Sequence, residues 1–98
     1  MGRHRISVPA VMVESREAVD SGPPGAYFID RQQTEFYLRC PCGRCEKRNA
    51  LPLTSGRYVW HLKGRPEKPS LSPSIHWFEP DGRRTHWHGW LRDGVFVG

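Results

Sequence analysis

The stretch THWHGWLRDGVFV, Thr85 to Val97, decides the fold. Two extended, aromatic-rich runs, THWHGWL and VFV, flank the connector Arg92-Asp93-Gly94. A short connector with a glycine able to take positive φ predicts a β-hairpin. Side chains alternate along a strand, so the first run predicts His86, His88 and Trp90 on one face and Trp87 with Leu91 on the other.

The rest of the chain breaks into similar short pieces. SVPAVMV, Ser7 to Val13, is β-branched and apolar and reads as a first strand with Pro9 near its edge or start. ESREAVD makes one helical turn or a loop, SGPPG is a turn, and AYFID is a short strand. In TEFYLRC, Phe36, Leu38 and Cys40 fall on one face, opposite Glu35, Tyr37 and Arg39. NALPL returns as a short strand. RYVWHLK alternates again, with Tyr58, Trp60 and Leu62 opposing Val59 and His61. GRPEKPSLSPS, Gly64 to Ser74, reads as a Pro-rich loop, SIHWFE as the next strand and PDGRR as its turn. The expected fold is all-β or mostly β: a small sandwich or open barrel of about six short strands.

The 98 residues fit one small metal-binding domain, with residues 1–6, including His4, expected to be disordered. A chain this short with 37% hydrophobic residues builds a thin core, which metals often supplement. Nine prolines and ten glycines favour turns over long helices. No apolar run approaches the ~20 residues that span a bilayer. The N-terminus has no signal-peptide core, so a cytoplasmic location and no membrane partner are expected. In that compartment thiols stay reduced, and clustered cysteines read as metal ligands before disulfides.

All three cysteines lie in CPCGRC, Cys40 to Cys45. The two-residue gap between Cys42 and Cys45 lets one tight turn aim both sulfurs at a common point, and Gly43 relaxes the backbone there. Thiolate and imidazole suit Zn²⁺, which takes four tetrahedral N/S donors in structural sites. Cys40, Cys42, Cys45, His86 and His88 offer five donors, one more than a closed site needs. One of the two histidines is therefore expected to bind and the other to be ordinary. His61 and His76, each beside a tryptophan, read as packed or exposed histidines.

FYLRCPCGRC, KPSLSPSIHW and THWHGWLRDGVF together resemble a family of small bacterial and phage or prophage domains. Its pattern is a strand ending in a CPCGC-type box, a P-S/T-L-x-P-S-I/V segment, and a C-x-x-H strand leading into an RDG or NG hairpin. The likeness covers Thr34 to Val97. It implies a zinc-binding domain, in some cases encoded near bacterial ubiquitin-like conjugation genes, and names no reaction. Carried over, Cys40, Cys42 and Cys45 match the box, the last displaced by Arg44, and His88 matches the histidine before the hairpin. Thr85 stands where members often have cysteine, a poor ligand in its place. The resemblance thus selects Cys40, Cys42, Cys45 and His88, with His86 as the substitute donor. THWHGW is also similar to the second box of Rieske iron–sulfur proteins. Thr85 replaces that box's cysteine and the first box lacks a histidine, so a Rieske centre is disfavoured.

The leading functional expectation is a structural zinc domain acting as an accessory or interaction module. The alternatives are a zinc enzyme with an open coordination position, Rieske-like electron transfer, and a nucleic-acid-binding zinc module. The sequence shows no serine-nucleophile motif, Walker loop or paired carboxylates, so a binding role is favoured over an enzyme. The expected partner is a protein. The formal charge of +5 also permits nucleic acid, through Arg44, Lys47, Arg48, Arg83 and Arg84.

Overall fold

A computed structural model describes residues 7–98. The expected disorder of residues 1–6 falls outside them. Among the described residues, nine strands and one short helix run in the order β1 (Ser7–Pro9), β2 (Val11–Met12), α1 (Arg16–Asp20), β3 (Ala26–Ile29), β4 (Glu35–Arg39), β5 (Arg48–Pro52), β6 (His61–Arg65), β7 (Lys68–Phe78), β8 (Thr85–Arg92) and β9 (Val95–Val97). They form a five-stranded sheet, β1-β9-β8-β7-β6, and a four-stranded sheet, β2-β3-β4-β5. The protein is mostly β, and neither sheet closes into a barrel.

The first extended segment serves both sheets. β1 pairs with β9, and β2 pairs in parallel with β3. Between them the Ala10 amide donates to the Gly94 carbonyl, so one apolar stretch divides into two strands as it passes from sheet to sheet. Ser15 caps α1, its hydroxyl accepting from the Ala18 amide at 3.1 Å. An uncovered N-terminal amide of a helix needs such a partner, and serine is a favoured one. The helix turns Val19 inward, where it is fully buried.

The core lies between the sheets. Tyr27, Phe36, Leu38, Cys40 and Leu51 come from the smaller sheet and its edge; Leu71, Ile75, Trp77, Trp87, Leu91 and Phe96 come from the larger. The alternation of β4 is as expected: Phe36, Leu38 and Cys40 are fully buried. Tyr27 stacks on Phe36 at 4.9 Å, and its hydroxyl donates to the Pro66 carbonyl across the molecule. Burial and the nearby Glu67 push that phenol up to about 12. At about 25 cal/mol per Å², each aromatic of 150–250 Å² contributes about 4–6 kcal/mol of gross burial, which is how few apolar residues suffice.

Two expectations are corrected. Gly64 to Ser74 is no loop: Gly64 and Arg65 end β6, and Lys68 to Ser74 form most of an eleven-residue β7. Pro69 pairs with Gly64 beside the hairpin turn, and Pro73 sits in the register shift between Leu71 and Ile75, where the ladder is interrupted. A proline at such a break removes no ladder hydrogen bond. Conversely, Tyr58 and Trp60 precede β6, and Tyr58 is exposed. The division of the first segment adds a strand, and the described residues form nine where about six were expected.

The closing hairpin is as read. Arg92 pairs with Val95, and Asp93 and Gly94 both take positive φ, 46° and 80°. That is the two-residue turn whose twist matches antiparallel strands.

Candidate functional site

Cys40 leaves β4 buried, and its amide donates to the Lys47 carbonyl at 2.8 Å, closing a loop over residues 40–47. Within it Gly43 takes φ +78°, a conformation side chains other than glycine's rarely adopt. The Arg44 amide then points at Cys42 Sγ (3.3 Å) and the Lys47 amide at Cys45 Sγ (3.4 Å). All three cysteines are free thiols.

The fourth group arrives from β8. Trp87 pairs with Trp77, but Thr85, not His86, pairs with Phe78. The register shift inserts His86 as an extra residue, a β-bulge. A bulge breaks strict alternation. Thr85 and His88 therefore face outward, while His86 turns inward beside the cysteine loop. The expectation that His86 and His88 share a face is wrong for this reason. So is the selection of His88 as the fourth donor: the structure gathers Cys40, Cys42, Cys45 and His86, whose ligating atoms all lie within 4.8 Å of one another.

Cys42, Cys45 and His86 are spaced close to the edges of a tetrahedral site, and Cys40 Sγ lies within 4.8 Å of them. Zn–S bonds of about 2.3 Å and Zn–N bonds of about 2.0–2.1 Å imply edges of roughly 3.8 Å between sulfurs and roughly 3.5 Å between sulfur and nitrogen. Cys42 Sγ lies 3.5 Å from Cys45 Sγ, and His86 Nε2 lies 3.5 Å from Cys42 Sγ and 3.2 Å from Cys45 Sγ. Behind the ring, His86 Nδ1 lies 3.3 Å from Glu79 Oε2. A proton on Nδ1 donated to that carboxylate leaves Nε2 with its lone pair toward the sulfurs, the usual support for a metal-bound histidine. Burial drives the Cys40 thiol well above its ordinary range. Burial also acts upward on Cys42, but the Arg44 amide and the side chains of Cys40, Cys45 and His86 outweigh it and bring that thiol down to about 7. These four residues could hold a divalent ion. An ion held by all four would have its tetrahedron filled by protein donors.

A second constellation occupies the outer face of the larger sheet. Ser74 on β7 and His88 on β8 meet there, with Oγ 3.0 Å from Nε2. His76 Nε2 lies 2.7 Å from Thr85 Oγ1. This contact accounts for Thr85: it faces away from the cysteines and holds a neighbouring ring, while the next residue supplies the donor. The His76 and His88 rings stack at 4.5 Å. Among the described residues neither ring has a carboxylate partner.

Ser74 and Glu79 are the site residues that sequence reasoning missed. Ser74 is the second serine of the P-S/T-L-x-P-S-I/V segment, a signal that named a position but no role. Glu79 gave no signal, because only the turn before β8 brings it back to His86. Of the basic residues proposed for nucleic acid, Arg48 pairs with Asp20, Arg84 with Asp81, and Lys47 donates to the Phe78 carbonyl. Arg44 and Arg83 contribute backbone amides to Cys42 and Asp81. No helix among the described residues is long and apolar enough to cross a membrane.

A family model described as bacterial ubiquitination-like system serine protease (BubE) covers residues 12–97. No curated protein and no solved structure matches the chain.

Proposed function

The chain belongs to the BubE family, and on that premise we propose that it is a serine peptidase with Ser74 as nucleophile and His88 as general base. The Cys40, Cys42, Cys45 and His86 cluster carries a structural zinc ion in this reading. The observation that carries it is the Ser74 Oγ to His88 Nε2 distance of 3.0 Å on an exposed face. A serine hydroxyl is a weak nucleophile until an adjacent base takes its proton, and hydrogen-bond contact between the two is the recognisable sign.

In the reaction, Ser74 Oγ attacks the carbonyl carbon of a peptide or isopeptide bond while its proton passes to His88 Nε2. His88 then returns the proton to the departing amine, leaving an acyl-serine. Water, activated by the same ring, releases the acid and restores Ser74. The zinc supplies cross-linking: it ties the loop over residues 40–47 to β8, the strand that carries His88. A protein partner follows, since a peptidase acts on one. An open zinc enzyme and a Rieske centre are both disfavoured by a cluster of three thiolates and one imidazole.

The test is phosphonylation by a fluorophosphonate reporter, which adds to an activated serine with loss of fluoride. Wild-type protein takes one label, mapped to Ser74. Ser74→Ala and His88→Ala abolish labelling while keeping their bound metal. Ser70→Ala and Ser72→Ala label normally. A label elsewhere, or undiminished labelling of Ser74→Ala, refutes the assignment.

A further inference from the structure

In serine hydrolases a carboxylate commonly holds the basic histidine in place, through the ring nitrogen that faces away from the serine. His88 has no such partner among the described residues. A row of rings surrounds it instead. Phe78 stacks on His76 at 4.3 Å, His76 on His88 at 4.5 Å, and His88 lies 5.3 Å from Trp90. The Arg92 guanidinium lies over the Trp90 ring, 5.5 Å from its centroid. The row is exposed, with Trp90 at 39% and Phe78 at 46% of their full surface.

Exposed aromatic side chains seldom order themselves without gain, and this row has anchors. Thr85 Oγ1, 2.7 Å from His76 Nε2, fixes the rotation of the His76 ring. The cross-strand pairing of His76 with His88 fixes its distance from the base. His88 thus meets two rings, stacking on His76 of β7 and lying at 35° to Trp90, two residues along its own strand.

We propose that His76 and Trp90 are positioning residues, a pair of ring faces that hold His88 in line with Ser74 in place of an acidic third member. The proposal rests on the Ser74–His88 assignment. It concerns His76, Thr85 and Trp90, none of which touches the reacting atoms. Misplacing a reacting group by about 1 Å costs on the order of 10²-fold in rate.

The experiment measures the limiting rate and the half-saturating concentration of fluorophosphonate labelling separately, on metal-loaded protein. His76→Ala and Trp90→Leu are expected to lower the limiting rate about 10–100-fold, with half-saturation changed less than about twofold. His76→Phe and Trp90→Phe, which keep a ring face, are expected to stay within about threefold of wild type. Trp90 is an exposed residue, so its variants keep the test open even where His76→Ala fails to fold. Wild-type limiting rates in His76→Ala and Trp90→Leu, with labelling still lost in Ser74→Ala, overturn the ring proposal and leave the serine–histidine pair standing. Phenylalanine variants as slow as the truncations overturn it as well, since stacking would then not be the cause. Normal labelling of Ser74→Ala removes both readings together.

Discussion

Replacing Glu79 by alanine tests whether the Cys40, Cys42, Cys45 and His86 cluster is a metal site. Glu79 touches none of the sulfurs; its Oε2 lies 3.3 Å behind His86 Nδ1. Its side chain is 37% exposed, so removing it opens no cavity in the core. The exposed contact by itself contributes about 0–1 kcal/mol. If His86 holds an ion, the carboxylate also fixes the ring's tautomer and direction, and losing such a partner weakens metal affinity about 10–100-fold. That factor is about 1.4–2.7 kcal/mol of binding free energy. At a fixed excess of free zinc, binding free energy is folding free energy, so the loss passes directly into stability. For a domain of this size 1 kcal/mol moves the melting temperature by about 4–8 °C. The variant should therefore melt roughly 6–20 °C below wild type in zinc buffer.

The control is the same pair of proteins with the metal chelated. Without an ion only the small direct contact separates them, and their transitions should differ by a few degrees at most. Competition with a chromophoric chelator reads the affinity independently and should show the 10–100-fold change, of order, directly. Equal melting differences with and without zinc, together with unchanged affinity, would mean that Glu79 supports His86 only as an ordinary surface contact. No measurable zinc affinity in either protein would instead refute the cluster as a metal site.

Two further outcomes follow from the same arrangement. A Cβ at Gly89 would lie 2.3 Å from the Val97 carbonyl oxygen and 2.6 Å from the Trp87 ring, so Gly89→Ala must push β9 or Trp87 aside. Chemical denaturation should show a loss of at least about 1–3 kcal/mol, and a variant as stable as wild type contradicts the packing of β8 on β9. Loading the protein with Co²⁺, which accepts the same donors, in place of Zn²⁺ should leave the limiting rate of Ser74 labelling within about twofold while giving a tetrahedral visible spectrum. A rate that follows the identity of the ion would assign the metal a part in the reaction.

Much of this molecule was legible from residue order. Alternation in Glu35 to Arg39 gave the buried face of β4 and delivered Cys40 inward, because a regular strand has only two faces. Asp93-Gly94 gave the last hairpin for an equally local reason, the need for positive φ. The close spacing of Cys42 and Cys45 gave the loop. The failures share one cause. Each lies where a strand departs from regularity through contacts distant in sequence. Pro69 and Pro73 argued against a strand, yet β7 accommodates them at a hairpin end and at a register shift, places only its partners define. Ser74 stood at the boundary between that supposed loop and the strand SIHWFE, where no partner across the sheet was evident. The assignment of His88 over His86 failed by one residue of bulge, and a two-residue periodicity turns a one-residue slip into a change of face.

That bulge also accounts for how one strand serves two chemistries. On a regular β8, His86 and His88 would project together, and two imidazoles beside three thiols would compete for one ion. The inserted residue sends His86 inward to Cys42 and Cys45 and leaves His88 outward on Ser74. The two sites sit on opposite faces yet are joined by a single turn of backbone. Anything that grips His86 therefore fixes the bulge, and the bulge fixes which way His88 points. An ion on the inner face reaches the outer face through register alone. On the proposed reading, an ion held by His86 would support the Ser74–His88 pair through the bulge, and the nature of the ion would matter little to it.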